Sequence, residues 1–240
     1  MAKPPDAPAP TGSVPVSSRA EIDSFLEQVR GLAPKTSADG RGHLVFALDA
    51  TMSRQPTWDS ACRLQAEMFH ETAAIGGLDV QLVYFRGLSE CRASRWVSDP
   101  RALSSIMETI DCRGGQTQIR KVLGHVRRES ERAKVAALIY VGDAMEESVD
   151  DLCATAGELG LTGIPCFMFQ EGGNELAERA YREIARLSRG AYCRFAPGAA
   201  HELAELLRAA AAYAAGGMKA LDDLSRRHNA GAIKLIAQMR

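Results

Sequence analysis

The segment His43 to Ser53, H-L-V-F-A-L-D-A-T-M-S, constrains the fold more than any other part of the chain. Its apolar half does not alternate with polar residues. It is therefore expected to be a strand covered on both faces, as in the interior of a parallel sheet. The run stops abruptly, which places Asp49, Thr51 and Ser53 at the carboxyl end of the strand. Open α/β sheets bind their ligands at that end, above all where the strand order reverses. Oxygen-bearing side chains at alternate positions of a turning loop can converge on one point, and such a set suits a hard divalent cation. The segment is expected to supply half of a metal site.

The rest of the chain reads as alternating strands and helices. Pro56 opens a helix with Ala61, Leu64, Met68 and Ile75 on its apolar side, closed by Gly76-Gly77. Strand two is expected over Val80 to Phe85, and Gly87-Leu88-Ser89 turns it into an antiparallel edge strand over Cys91 to Val97. Asp99-Pro100 caps a helix carrying Leu103, Ile106, Met107 and Ile110. A glycine-rich loop, Cys112 to Thr117, leads into a helix with Ile119, Val122, Leu123 and Val126. Val135 to Val141 is a second doubly covered strand, and it stops at Asp143 much as the first stops at Asp49. Ser148 caps the next helix and Gly160 is expected to end it, followed by a strand over Ile164 to Phe169. Asn174 caps a helix ending at Gly190, and Ala191 to Phe195 is the last strand. His201 to Tyr213 is the final domain helix, ended by Gly216-Gly217.

Right-handed crossovers then give a doubly wound, mainly parallel six-stranded sheet with one antiparallel edge strand, helices on both faces and helical extensions at each end. Residues 1–17 carry five prolines and are expected to be a disordered tail. Residues 18–41 form a helix and linker, with Ser18 and Glu21 as a capping box and a stripe of Ile22, Phe25, Leu26, Val29 and Leu32. Residues 42–215 form the domain. Residues 216–240 form one or two helices folded back onto the domain or onto a partner.

Composition excludes several classes of function. A net charge of −1 and a pI near 6.5 leave no footprint for nucleic acid. No run reaches the roughly 20 apolar residues of a membrane helix, and prolines stand where a signal peptide would have its apolar core, so a cytoplasmic location is expected. The six cysteines are scattered, without C-x-x-C pairs, and read as reduced and mostly buried. None of the five histidines has ligand spacing, and no Walker, dinucleotide-binding or G-x-S-x-G motif occurs.

If the chain winds one way from the first strand and returns to its other side, Asp49 and Asp143 face one crevice, and the Gly114-Gly115 loop brings Thr117 to it. The order D-x-[ST]-x-S, then Gly-Gly and Thr, then an apolar strand ending in Asp, resembles the von Willebrand factor A domain over roughly residues 42 to 215. The resemblance implies a metal-ion-dependent adhesion site. Thr51 and Ser53 would be direct hydroxyl ligands, Thr117 a direct or water-bridged one, and Asp49 and Asp143 the charged members. It implies Mg²⁺ or Mn²⁺ with one coordination position open to an acidic residue, Asp or Glu, of a partner protein. Three positions depart from the pattern: Thr51 stands where Ser is usual, Met52 replaces a small residue, and Gln116 separates Gly115 from Thr117.

Each feature also has a structural reading. Asp49 alone can cap a turn. Glu146 and Glu147 tune the site from its rim or, as the better reading, serve as first-turn carboxylates of the helix after Ser148. Trp58 is as consistent with packing inside the domain as with a partner contact, and Arg54, Arg113 and Arg120 are taken as a solvated face. The favoured function is a non-enzymatic, metal-dependent interaction module. The alternatives are a metal-dependent phosphatase or phosphotransferase using Asp49 as phosphoryl acceptor, and a scaffold with a vestigial site. A phosphatase of the haloacid dehalogenase type would want D-x-D, where this chain has Thr51, and Lys134 precedes the later strand instead of following it.

Overall fold

The computed structural model describes residues 40–51 and 55–239. The expected proline-rich tail, the Ser18–Glu21 capping box with its helix, Met52, Ser53 and Arg54 lie outside the described residues. The strands are β1 (Gly42–Asp49), β2 (Leu78–Arg86), β3 (Glu90–Val97), β4 (Ala137–Gly142), β5 (Cys166–Glu171) and β6 (Ala191–Phe195). The helices are α1 (Gln55–Thr72, continued by a 3₁₀ turn Ala73–Ile75), α2 (Pro100–Glu108), α3 (Ile119–Ser130), α4 (Val149–Leu161), α5 (Glu175–Leu187), α6 (Ala200–Arg226) and α7 (Ala230–Met239).

The sheet order is β3-β2-β1-β4-β5-β6, with β3 the antiparallel edge and every other pairing parallel. The chain moves outward from β1 to β2 and β3, then returns to β4 on the other side of β1. The order therefore reverses between β1 and β4. Register places Leu48 opposite Val141, so Asp49 and Asp143 leave the sheet side by side.

The period-two geometry of a strand explains why β1 is apolar throughout. Leu44, Phe46 and Leu48 enter one core, with Trp58, Met68, Leu103 and Leu206, while Val45 and Ala47 enter the other, with Val122, Leu152 and Ile184. In β4, Ile139 and Val141 take the first side and Leu138 and Tyr140 the second. Each large side chain so buried contributes roughly 1.5–3 kcal/mol, and two full cores hold the central strands fixed beneath the site. The edge strand β3 is half exposed, as one-sided cover requires, and a bulge breaks its register between Gln81 and Val83. The Leu82 N–H freed by the bulge donates to Ser94 Oγ at 3.0 Å.

Caps behave as their chemistry predicts. Asp99 accepts from the Arg101 and Ala102 amides, and Asn174 from the Leu176 and Ala177 amides. Gly160 does not end α4. The helix runs to Leu161 and stops at Gly163, whose φ is +77°. Gly160 is instead a contact between helices, because a Cβ there would lie 2.1 Å from the Leu187 carbonyl oxygen. The strand expected from Ile164 begins only at Cys166, since Pro165 has no N–H to give the ladder. The long helix α6 breaks at Gly217, and the apolar residues beyond the break, Leu221 and Leu224 of α6 and Leu235 and Ile236 of α7, are buried in the first core. These four fold back onto the domain, while Ile233 is exposed.

No two of the six cysteines form a disulfide. Only Cys166 and Cys193 are fully buried and the other four are intermediate, which corrects the expectation that most would be buried. Burial pushes the Cys62, Cys91 and Cys193 thiols up to about 11 and that of Cys166 up to about 12. The thiolate is the reactive form, so these four should react with an aromatic disulfide at pH 8 far more slowly in the native protein than in denaturant, where all six react at the rate of free cysteine. Native reaction of Cys166 at the unfolded rate would contradict its place in the core.

Candidate metal centre

Three loops meet above the switch point. The first follows β1. There the Asp49 carboxylate is 3 % exposed, and its Oδ1 accepts the Thr51 N–H at 2.8 Å, a short turn that holds Thr51 over the strand end. The second is the glycine loop before α3. Its Arg113 N–H donates to the Ala50 carbonyl at 3.0 Å and its Gln116 N–H to the Gly87 carbonyl at 3.1 Å, so it is tied both to the first loop and to the β2–β3 turn. The third, Asp143 to Ser148, follows β4.

Asp49, Thr51, Gly114, Gly115, Thr117, Asp143, Ala144 and Glu146 line one small cleft of about 180 Å³. The structure thus brings together Asp49, Thr51, Thr117 and Asp143, while Ser53 lies outside the described residues. The inserted Gln116 does not keep Thr117 out of the cleft. Burial, then Tyr181, then Asp49 drive the Tyr140 phenol well above its ordinary range.

The third loop departs from the sequence reading. Glu146 and Glu147 do not complement α4, whose own first turn holds Asp150 and Asp151. Glu146 lies in the cleft. Its Oε2 accepts the Thr117 hydroxyl at 2.7 Å and the Thr117 N–H at 3.1 Å, while the Glu146 N–H donates back to Thr117 Oγ1 at 3.3 Å. Glu147 takes the Ile119 and Arg120 amides and so caps α3, which has no cap of its own. Burial raises the Glu147 carboxyl above its usual range, partly offset by those amide bonds. The sequence carries no local signal for either contact, because each spans 27 to 29 residues.

Trp58 belongs to the core. It is 2 % exposed and its Nε1–H donates to the Met107 carbonyl. Arg113 pairs with Asp111 and Arg120 with Asp151 at the surface. Larger hollows lie elsewhere. One of about 700 Å³ between α1 and α6 is walled by charges that largely pair with one another, such as Glu71 with Arg227. Another, of about 400 Å³, lies beside the buried Thr57–Glu171 pair.

The cleft offers oxygen only. Among the described residues no three His, Cys, Asp or Glu side chains are grouped so as to hold a metal by themselves, so a cation here needs the hydroxyls of Thr51 and Thr117 beside the two aspartates. Carboxylates mixed with hydroxyls fit Mg²⁺ or Mn²⁺ and do not fit a soft ion.

The architecture is that of the von Willebrand factor A fold. No family model and no curated protein matches the chain. Solved structures do. The proximal thread matrix protein 1 of the mussel byssus, with a zinc-occupied MIDAS motif, aligns at a TM-score of 0.61 and 16 % identity, covering 82 % of this chain and 53 % of that one. The pilus adhesin SpaC from Lactobacillus rhamnosus GG aligns at 0.58 and 10 % identity over 75 % of this chain and 31 % of the adhesin. The SpRpn10 VWA domain aligns at 0.55 and 10 % identity over 74 % and 97 %. At such identities the likeness is one of fold. No helix among the described residues is long and apolar enough to cross a membrane.

Proposed function

We propose that this chain is a non-enzymatic interaction module that grips an acidic residue of a partner protein through Mg²⁺ or Mn²⁺ held by Asp49, Thr51, Ser53, Thr117 and Asp143. The observation that carries this reading is the convergence of Asp49, Thr51, Thr117 and Asp143, from three separate loops, on one cleft at the switch point. The bound cation would supply a coordination position that a carboxylate can take. Asp49, Asp143 and Glu146 already bring three carboxylates to the cleft, so what an incoming carboxylate gains is a direct bond to the cation in a partly dehydrated crevice. Mussel thread protein and pilus adhesin offer precedent for such a site and for adhesion on this fold. Six cysteines with no disulfide among them fit a reducing, cytoplasmic compartment.

Mn²⁺ titration tests the reading. Calorimetry should show one Mn²⁺ per chain, with enhanced water-proton relaxation from a water on the open position. A short peptide containing aspartate should displace that water and quench the enhancement, while the asparagine version should not. No hydrolysis of p-nitrophenyl phosphate is expected with Mg²⁺ present. Absence of Mn²⁺ binding would overturn the proposal, and phosphate ester turnover lost on Asp49→Asn would replace it with the phosphatase reading.

A further inference from the structure

We propose that Glu146 is a positioning residue of this centre, one that accepts a hydrogen bond from the Thr117 hydroxyl so that the Thr117 oxygen faces the cleft as a lone-pair donor. The inference rests on the metal reading above. A threonine hydroxyl has one proton and two lone pairs, and it can serve a cation only through the latter. The cleft also holds the carboxylates of Asp49 and Asp143, acceptors that would draw the Thr117 proton toward themselves if nothing else held it. Glu146 Oε2, 2.7 Å from Thr117 Oγ1, is such a holder. The same oxygen accepts the Thr117 N–H at 3.1 Å, so the carboxylate is fixed by two donors of one residue and the hydroxyl rotor is set. The Glu146 N–H at 3.3 Å engages one lone pair weakly, which leaves the other.

The adjacent Glu147 makes this reading specific. It ties the third loop to the start of α3 through the Ile119 and Arg120 amides, so the mechanical joint between the two loops exists without Glu146. What Glu146 adds is the destination of one proton. Partners that orient metal ligands in this way are typically worth about 10- to 100-fold in metal affinity.

The test is Mn²⁺ calorimetry on Glu146→Ala, Glu146→Gln, Thr117→Val and the double variant Glu146→Ala/Thr117→Val, with thermal melts as folding control. Glutamine keeps a carbonyl oxygen for the Thr117 proton and N–H, whereas alanine keeps nothing. Glu146→Ala should weaken Mn²⁺ about tenfold or more, and Glu146→Gln, which loses the charge but keeps the acceptor, should bind measurably more tightly than Glu146→Ala. The double variant should bind no more weakly than Thr117→Val alone, because Glu146 acts only through that hydroxyl. An unchanged affinity in Glu146→Ala overturns the inference. So does a Gln variant as weak as the Ala variant, or additive losses in the double variant, either of which would make Glu146 a charge or a ligand in its own right. These results leave the metal reading standing. Only a wild type that binds no Mn²⁺ removes both.

Discussion

Asp49→Asn should lower Mn²⁺ affinity by about a hundredfold or more while leaving the fold intact. The two halves of that expectation have separate causes. Asp49 is buried, and its Oδ1 accepts the Thr51 N–H that shapes the loop. Asparagine presents the same oxygen, so the turn and Thr51 remain in place. The charge is lost. Unit charges 4 Å apart attract by about 4 kcal/mol at an effective dielectric of 20, and the figure doubles for a dication before desolvation is subtracted. A remainder of about 2.7 kcal/mol corresponds to a hundredfold change in affinity. Asp49→Ala removes the charge and also the turn, leaving the Thr51 amide without its acceptor at a further cost of about 1–3 kcal/mol of stability. Calorimetry and melting, run on both variants, separate the two effects. An Asp49→Asn protein that binds Mn²⁺ like wild type would eliminate Asp49 from the centre, and one that melts like Asp49→Ala would show that the charge itself supports the loop.

Much of this arrangement is legible in the chain because it depends on short-range pattern. A run such as Leu44 to Leu48, apolar at every position, has only one comfortable place, between two layers, and two such runs each ending in aspartate define the centre of a doubly wound sheet. Helix starts are as local: Asp99, Ser148 and Asn174 reach amides two or three residues away. The misreadings fall where the deciding contact is distant. Gly160 looks like a helix stop until Leu187 packs across it, and Trp58 is ambiguous until Met107 supplies an acceptor for its indole. Glu146 and Glu147 look like ordinary first-turn carboxylates. Only the folded chain shows that residues 117 to 120 present four groups in need of an acceptor, three amides and a hydroxyl, and that these two glutamates meet them. The site residues drawn from motif order sit around one cleft because sheet topology delivers them there. The groups that orient them come from packing between loops, which has no period in sequence.

The glycine loop allows that packing to be tested with two neighbouring residues. Gly115→Ala should destabilise the protein by about 1–3 kcal/mol, as overpacked positions do, and should weaken Mn²⁺ binding as well. Gly114→Ala should change neither by a measurable amount. A Cβ on Gly115 would lie 2.2 Å from the Gly87 carbonyl oxygen and 2.4 Å from the Gly87 nitrogen, backbone atoms that cannot rotate aside. That contact also carries the Gln116 N–H to the Gly87 carbonyl and the Gln118 amide to the Arg86 and Gly87 carbonyls, so relieving it pushes the whole loop off the β2–β3 turn. Thr117 moves with the loop and its oxygen is carried away from Asp49 and Asp143. A Cβ on Gly114 meets nothing within 4 Å, and its backbone is not in the left-handed region, so alanine there costs nothing beyond the ordinary surface range of about 0.5 kcal/mol. In a domain of this size each kcal/mol lowers the Tm by roughly 2–4 °C, which a melt resolves. If both alanine variants melt and bind as wild type does, the loop does not press on the hairpin and Thr117 owes its place to something other than this close approach. If Gly115→Ala melts early yet binds Mn²⁺ normally, the loop matters to the fold while Thr117 does not matter to the metal.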